Sequence, residues 1–189
     1  MNKLSENYAL AYAFATERHA KQFRKGVKVP YIVHIYEVAQ YLRESGADEE
    51  TIIAGILHDT VEDTGTKLEE IKEKFGDKVA MLVDYCTEIK SMPYLERKRE
   101  HDNRLAHAPK DAKLIKCADC LSNLRSLYLD TLYNDEIWKV FNSTRENIKT
   151  HYKWSIEAFS ELQGLKIYQD LKNYFDLTFK DWKWFDIIK

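Results

Sequence analysis

The sequence has few residues that interrupt helices. Its 189 residues include only 6 glycines and 3 prolines, whereas 44% are hydrophobic and 32% are charged. Scarce glycine and proline, with abundant Leu, Ile, Lys, Glu and Ala, favour an all-helical protein, and the length suits one well-buried core. We therefore predict an all-α bundle of about 8–10 helices in a single domain spanning residues 1–189.

Cysteine is also scarce. Cys86, Cys117 and Cys120 are too few for a disulfide framework and suit a reducing compartment. Cys117 and Cys120 form a C-x-x-C pattern, but it lies in the middle of a predicted helix and has no second cysteine pair. We interpret these cysteines as packing residues rather than as a zinc or redox site.

The sequence lacks both an excess of basic charge and a long hydrophobic run. Its net charge is −2 and its pI is about 6.3, and its densest basic cluster, Arg97 to Arg99, is flanked by Glu96 and Glu100. This composition argues against nucleic acid as a partner. The first 26 residues resemble neither a signal peptide nor a membrane span, so we expect a cytoplasmic protein without a membrane partner. The sequence is compatible with a monomer and with a homo-oligomer.

Hydrophobic spacing, prolines and glycines locate the helices, and no repeat, linker or strand pattern stands between them. Asp48 is a candidate N-cap for the third helix. The aromatic-rich segment 134–189 is expected to complete the bundle around a motif core at about 8–127. The predicted helices cover approximately residues 5–23, 31–44, 49–63, 68–75, 77–89, 93–108, 109–129, 134–162 and 165–179.

One apolar segment ends in a group of titratable residues. The run "TIIAGILHDTVEDT" carries His58, Asp59, Glu62 and Asp63 at its end. In a helix, Asp59 and Asp63 would lie one turn apart, as would His58 and Glu62. Like charges at this spacing repel, and carboxylates at the edge of a core are costly unless a positive charge neutralises them. A metal ion would provide that charge.

Two further polar residues fall where the hydrophobic pattern predicts burial. His34 lies within "PYIVHIYEVA" and Asp119 within "LIKCADCLSNL". Taken alone, each is more simply explained as a buried residue whose hydrogen bonds are satisfied by a neighbouring helix. Taken with the pair at residues 58 and 59, they could complete the shell of one cation.

The order of these residues resembles that of the HD-domain metal-dependent phosphohydrolases. The segments "HAKQFRKG", "PYIVHIYEVAQYL", "AGILHDTVEDT", "EIKEKFGDKVAMLV" and "AKLIKCADCLSNL" are similar, more narrowly, to the hydrolase domain of the alarmone synthetase/hydrolase family, and above all to its small stand-alone members. The similarity extends over about Tyr8 to Leu127. It implies an HD-domain helical bundle in which a divalent cation, typically manganese, is bound by His34, His58, Asp59 and Asp119.

The resemblance also implies an activity. It assigns Glu62 and Asp63 to the catalytic pair that orients or deprotonates the attacking water. Arg24 and Lys25 would pack against the guanine base, and Asn123 would contact the nucleoside. For Arg24 and Lys25, a solvated pair at a helix end is the alternative. The implied reaction is the removal of pyrophosphate from the 3′ position of ppGpp or pppGpp, the alarmones of the stringent response, giving GDP or GTP.

The sequence departs from the family at two positions expected near the phosphates or the sugar. Tyr94 stands where small hydrolases often have lysine, and His151 stands where they have tyrosine. The segment "LERKRE" offers other cations, although a solvated helix face explains most of them. The replacement cations would be Arg97, Lys98 or Arg99.

Two alternative functions remain at this stage. The first is an HD phosphohydrolase that acts on another nucleotide, such as an adenine alarmone or the phosphate of a nucleotide cofactor. The second is a catalytically silent nucleotide-binding module. Loss of a metal ligand or of the Glu-Asp pair would favour the silent module, but all six positions are intact.

Overall fold

The predicted all-α architecture is confirmed by a computed structural model, which describes residues 5–26, 28–134 and 136–180. Within these residues there is no β-strand, only an isolated bridge between Phe23 and Pro30. None of the described helices combines the length and apolar character needed to cross a bilayer. The α-helices are α1 Glu6–Arg18, α2 Ile32–Glu44, α3 Glu49–Leu57, α4 Thr60–Thr64, α5 Leu68–Phe75, α6 Asp77–Cys86, α7 Tyr94–Ala106, α8 Lys110–Thr131, α9 Arg145–Ala158 and α10 Lys166–Phe179.

Helix α3 lies at the centre of the N-terminal half. Its N-cap is Asp48, as predicted, and the Asp48 carboxylate accepts a hydrogen bond of 2.8 Å from the main-chain N–H of Thr51. From Thr51 to Leu57 every residue is buried. The helix packs against α1, α2, α6 and α8. Burial on all sides explains why this segment is apolar without helical periodicity.

The predicted continuous helix over 49–63 is wrong at His58 and Asp59, where α3 ends and α4 begins. The Thr60 hydroxyl donates to the carbonyl of Leu57 at 2.7 Å, and Nδ1 of His58 bonds to the carbonyl of Gly55 at 2.8 Å. These side chains satisfy main-chain acceptors at the end of α3, so the break leaves them paired.

Helix α8 is the central element of the second half. Of its 22 residues, those from Ala112 to Ser122 are all buried, including Lys113, Lys116 and Asp119. It packs against α2, α3, α6, α7, α9 and α10. The polar side chains on this buried helix therefore require partners within the protein.

The C-terminal half differs from its prediction. Instead of one helix over 134–162, a short 3₁₀ helix at Ile137–Val140 is followed by a separate α9 and a second 3₁₀ helix at Ser160–Leu162. Thr144 is the N-cap of α9, and its hydroxyl accepts a hydrogen bond of 3.1 Å from the N–H of Asn147. This cap competes with continuation of a helix through Thr144. Residues 135 and 181–189 of the predicted 134–189 segment lie outside the described residues.

Helix α1 is shorter than predicted. It ends at Arg18, and the N–H of Arg24 then donates to the carbonyl of Val29 and the N–H of Tyr31 to the carbonyl of Gln22, both at 2.9 Å, so the chain folds back. Gly26 occupies the turn with φ +88°. This fold-back places Arg24 against α8.

Replacing Asp48 by alanine should destabilise the protein by about 1 kcal/mol, because α3 loses its N-cap. Asp48 also pairs with Lys78 at 2.5 Å, an exposed contact that we expect to contribute little. The matched variant is therefore Asp48→Asn, which keeps a capping oxygen and loses the ion pair. Urea unfolding of both variants tests the assignment, and an equal loss of stability in the two would contradict the capping role.

Candidate active site

Three separated segments bring the four predicted metal ligands together. His34 comes from α2, His58 and Asp59 from the junction of α3 and α4, and Asp119 from α8. His34, His58 and Asp59 place one ligand atom each within 4.8 Å of one another. Oδ1 of Asp119 lies 3.3 Å from Nε2 of His34 and 3.8 Å from Nε2 of His58. These separations are close to the roughly 3.0–3.5 Å expected between ligands bound to one cation at about 2.1 Å.

The helix break allows two adjacent residues to face the same point. In a continuous helix, neighbouring side chains diverge by about 100°. At the junction between α3 and α4, however, Nε2 of His58 lies 3.0 Å from Oδ2 of Asp59. The departure from the predicted helix is thus what assembles the pair.

Both imidazoles are oriented by hydrogen bonds at Nδ1. Nδ1 of His58 donates to the carbonyl of Gly55 at 2.8 Å. Nδ1 of His34 lies 2.8 Å from the Ser122 hydroxyl, which itself donates to Glu37 at 2.6 Å and so accepts from the imidazole. Because Nδ1 of each ring is engaged, Nε2 is the atom that each imidazole can offer to a cation, and the two Nε2 atoms lie 3.4 Å apart. Two such nitrogens and two carboxylates suit a divalent transition metal.

The site concentrates negative charge. Burial alone would raise the pKa of Asp119, but the Lys116 ammonium 2.5 Å away and hydrogen bonds from both imidazoles hold it well below its usual range. Burial alone would lower the pKa of His58, yet the carboxylates of Asp59 and Asp119 raise it to about 10. This charge favours a bound cation.

A cavity of about 570 Å³ opens beside these ligands and is lined by Glu62 and Asp63. Oε2 of Glu62 accepts a hydrogen bond of 3.0 Å from the main-chain N–H of Glu88. Burial raises the pKa of Glu62, and nearby Lys116 opposes this effect. Asp63 is more exposed and bonds to Lys90 at 2.5 Å and to Gln22 at 2.9 Å. Glu62 therefore has the more suitable environment for a general base.

The three predicted substrate-binding residues line the same cavity. The Arg24 side chain is only 9% exposed, and its guanidinium donates to the Ser122 hydroxyl at 3.0 Å and to Asn123 at 3.2 Å. Asn123 in turn donates to Asp119 at 2.6 Å. Lys25 lies over the Phe141 ring, 5.4 Å from its centroid. A solvated pair is therefore wrong for Arg24, which is fixed by α8.

The two departures from the family lie together in the cavity wall. The rings of Tyr94 and His151 meet edge to face with centroids 6.4 Å apart. Nδ1 of His151 lies 3.3 Å from Asp102, whose other oxygen accepts a bond of 2.9 Å from Ser155. Burial lowers the pKa of His151, as does nearby Lys98. This wall therefore presents a neutral imidazole.

Several polar residues of the site were not singled out from the sequence. Lys116 carried a signal, because it precedes Asp119 by three residues and so shares its helix face. Tyr31 donates to Asp59 at 2.5 Å and showed no comparable signal. Glu88 was predicted inside a helix, whereas α6 ends at Cys86 and leaves Glu88 in the connection to α7.

Comparison with known proteins supports the family. The HD domain matches residues 11–145. The chain is 39% identical over 154 residues to the guanosine-3′,5′-bis(diphosphate) 3′-pyrophosphohydrolase MESH1 of Xenopus tropicalis, covering 80% of this chain and 82% of that protein. It is 44% identical over 128 residues to the guanosine-3′,5′-bis(diphosphate) 3′-pyrophosphohydrolase of Aquifex aeolicus, covering 66% of this chain but only 18% of that protein.

A solved structure supports the same relationship. It is described as a metazoan ortholog of SpoT that hydrolyzes ppGpp and plays a role in starvation responses, and it superposes with a TM-score of 0.78 at 30% identity. The match covers 93% of this chain and 97% of that one. The predicted family is confirmed: the chain belongs to the HD-domain family, among the relatives of the guanosine-3′,5′-bis(diphosphate) 3′-pyrophosphohydrolases.

Proposed function

We propose that the protein is a metal-dependent hydrolase that removes the 3′-pyrophosphate of ppGpp or pppGpp. The observation that carries this proposal is the convergence of His34, His58, Asp59 and Asp119 beside a cavity lined by Glu62 and basic residues. Relatives that span most of this chain are named for this reaction. We propose manganese as the cation. We also propose that the protein acts in the cytoplasm.

The four ligands would hold the cation through the Nε2 atoms of His34 and His58 and through carboxylate oxygens of Asp59 and Asp119. When bound there, a divalent cation would supply polarisation of a phosphoryl oxygen and a lower pKa for water. Lys116 and Tyr31 position the two carboxylates by hydrogen bonding to them. The Nδ1 bonds keep both imidazoles in the binding orientation.

Glu62 acts as the general base. It accepts a proton from the water that attacks the phosphorus joined to the 3′ oxygen. The bond between that phosphorus and the 3′ oxygen breaks, and the 3′ oxygen takes up a proton. One water is consumed, and GDP and pyrophosphate leave. Asp63, held by Lys90 and Gln22, orients the water.

Arg24, Lys25 and Asn123 hold the nucleoside. The guanidinium of Arg24 is fixed before substrate arrives, and a fixed planar cation loses little freedom on stacking against a base. Asn123 links this wall to Asp119 through a single hydrogen bond. A displacement of the guanine base would therefore change the position of Asp119 through Asn123.

The first test is hydrolysis of ppGpp by the purified protein with manganese, with and without a chelator. Chromatography should resolve GDP and pyrophosphate as the products, and the chelator should abolish their formation. If metal is bound but ppGpp is stable, another nucleotide is the substrate, and adenine alarmones and nucleotide cofactors are then the compounds to assay.

Replacing Asp119 by alanine should abolish metal binding and turnover. It should also destabilise the protein by about 3–5 kcal/mol, because the buried Lys116 ammonium loses its partner. The matched variant Asp119→Ala with Lys116→Met should recover stability and still bind no metal. Metal content by elemental analysis and thermal unfolding separate the two effects, and full metal content in either variant would remove Asp119 from the site.

Replacing Glu62 by glutamine should keep the metal and lower kcat by about 10²–10⁴-fold, because glutamine preserves the bond from Glu88 but cannot accept the proton. Because the pKa of Glu62 is raised, the wild-type rate should fall with decreasing pH at a higher pH than the pKa of an ordinary glutamate would give. This acid limb of the pH–rate profile should be absent in the variant. The exposed Glu69→Gln is the control. A normal rate for Glu62→Gln would mean that another group is the base.

A further inference from the structure

Glu88 is a buried anion in the connection between α6 and α7. Its side chain is only 5% exposed, and its two oxygens contact different cations. Oε2 lies 2.8 Å from Nε of Arg97, and Oε1 lies 2.5 Å from Nζ of Lys98. Burial alone would raise the pKa of Glu88, but Lys98 and Lys116 lower it to about 2. The carboxylate is therefore a permanent anchor for both side chains.

The two anchored cations keep binding capacity. Arg97 and Lys98 both line the cavity. Nη1 and Nη2 of Arg97 have no hydrogen bond to any residue that the structure describes. Both cations also lie 5.8 Å from the centroid of the Tyr94 ring. The three side chains of Glu88, Arg97 and Lys98 together carry a net positive charge. Contacts with Glu88 and with the Tyr94 ring hold the two cations in place.

Arg97 also lines a part of the cavity system that contains no metal ligand. A smaller adjoining cavity of about 300 Å³ is lined by Lys25, Tyr94, Arg97 and Phe141, and by no metal ligand. A substrate with its scissile phosphates beside Asp59 and Asp119 would reach this part of the cavity, and Arg97, with a different part of the molecule. In ppGpp, the remaining strongly anionic part is the 5′-diphosphate.

Glu88 also contacts Glu62, the proposed general base. The main-chain N–H of Glu88 donates to Oε2 of Glu62 at 3.0 Å. The carboxylate of Glu88 and its N–H thus serve different groups. A substitution that changes only the side chain, such as Glu88→Gln, separates the two contributions.

We propose that Arg97 and Lys98, held by Glu88, form the binding site for the substrate's 5′-diphosphate, and that Glu88 is the positioning residue of this site. The inference rests on the proposed function and specifies how that site recognises its substrate. It replaces the solvated-face interpretation for these two residues. It does not extend to Arg99, which stacks on Trp154 with its guanidinium 4.8 Å from the ring centroid.

The test compares two substrates that share the scissile group, namely ppGpp and guanosine 3′-diphosphate with a free 5′-hydroxyl. Arg97→Gln and Lys98→Gln should each raise KM for ppGpp by about tenfold and leave KM for the second substrate unchanged, because one charge-assisted contact is lost. Arg99→Gln, the same substitution two positions from Arg97, should change neither. An equal rise for both substrates would overturn the proposal.

Glu88→Gln tests the positioning role. It should raise KM for ppGpp selectively while kcat stays within about threefold of wild type, because the N–H bond to Glu62 is retained. A proportional fall of kcat on both substrates would mean that Glu88 serves the fold or the base alone. Glu88→Asp retains the carboxylate and should restore part of the affinity for ppGpp that Glu88→Gln loses. If a single cation variant fails to fold, combining it with Glu88→Gln removes the unpaired buried anion.

Equilibrium binding tests the site without turnover. In calorimetric titrations, the wild-type preference for GDP over guanosine should fall about tenfold in Arg97→Gln and Lys98→Gln, and it should persist in Arg99→Gln. An unchanged preference would reject the diphosphate site. Because GDP binding does not depend on catalysis, failure of this test is distinguishable from failure of the proposed hydrolysis.

Discussion

The interaction on which the site depends most is the neutralisation of carboxylates buried in an apolar bundle. Asp59 and Asp119 are kept ionised by imidazoles and, for Asp119, by Lys116; Asp59 also accepts a hydrogen bond from Tyr31, and Asp119 accepts one from Asn123. An isolated buried carboxylate would instead take up a proton. The polar partners around the site are therefore required by the charges that a metal needs.

The same requirement links the two ends of the site. His34 bonds to Ser122, and Ser122 bonds to Arg24 and Glu37. Arg125 completes the group by pairing with Glu37 at 2.8 Å. A metal ligand and the proposed base-stacking cation thus share one hydroxyl as a hydrogen-bond partner. Effects of substitutions within this network will not be additive, because the members share partners.

Much of the fold and the four candidate ligands could be predicted from the sequence, because polar residues inside apolar runs are visible there. The junction at His58 could not, since it depends on side chains that bond to the end of α3 rather than on helix propensity. The division of the long aromatic segment depends on Thr144 in a similar way. Arg97 looked like a surface residue because its partner, Glu88, lies in a different element, and periodicity describes one helix at a time.

Helix α8 carries both the core and the site. It supplies Asp119, Lys116 and Asn123 on one side, while its other residues pack against helices from both halves of the chain. Such a helix cannot open locally without disrupting the bundle, so its amide protons should exchange only through global unfolding. Asn142, an exposed residue that lines the cavity from the connection before α9, is under no such constraint. We therefore expect any opening that admits a nucleotide to involve this connection rather than α8.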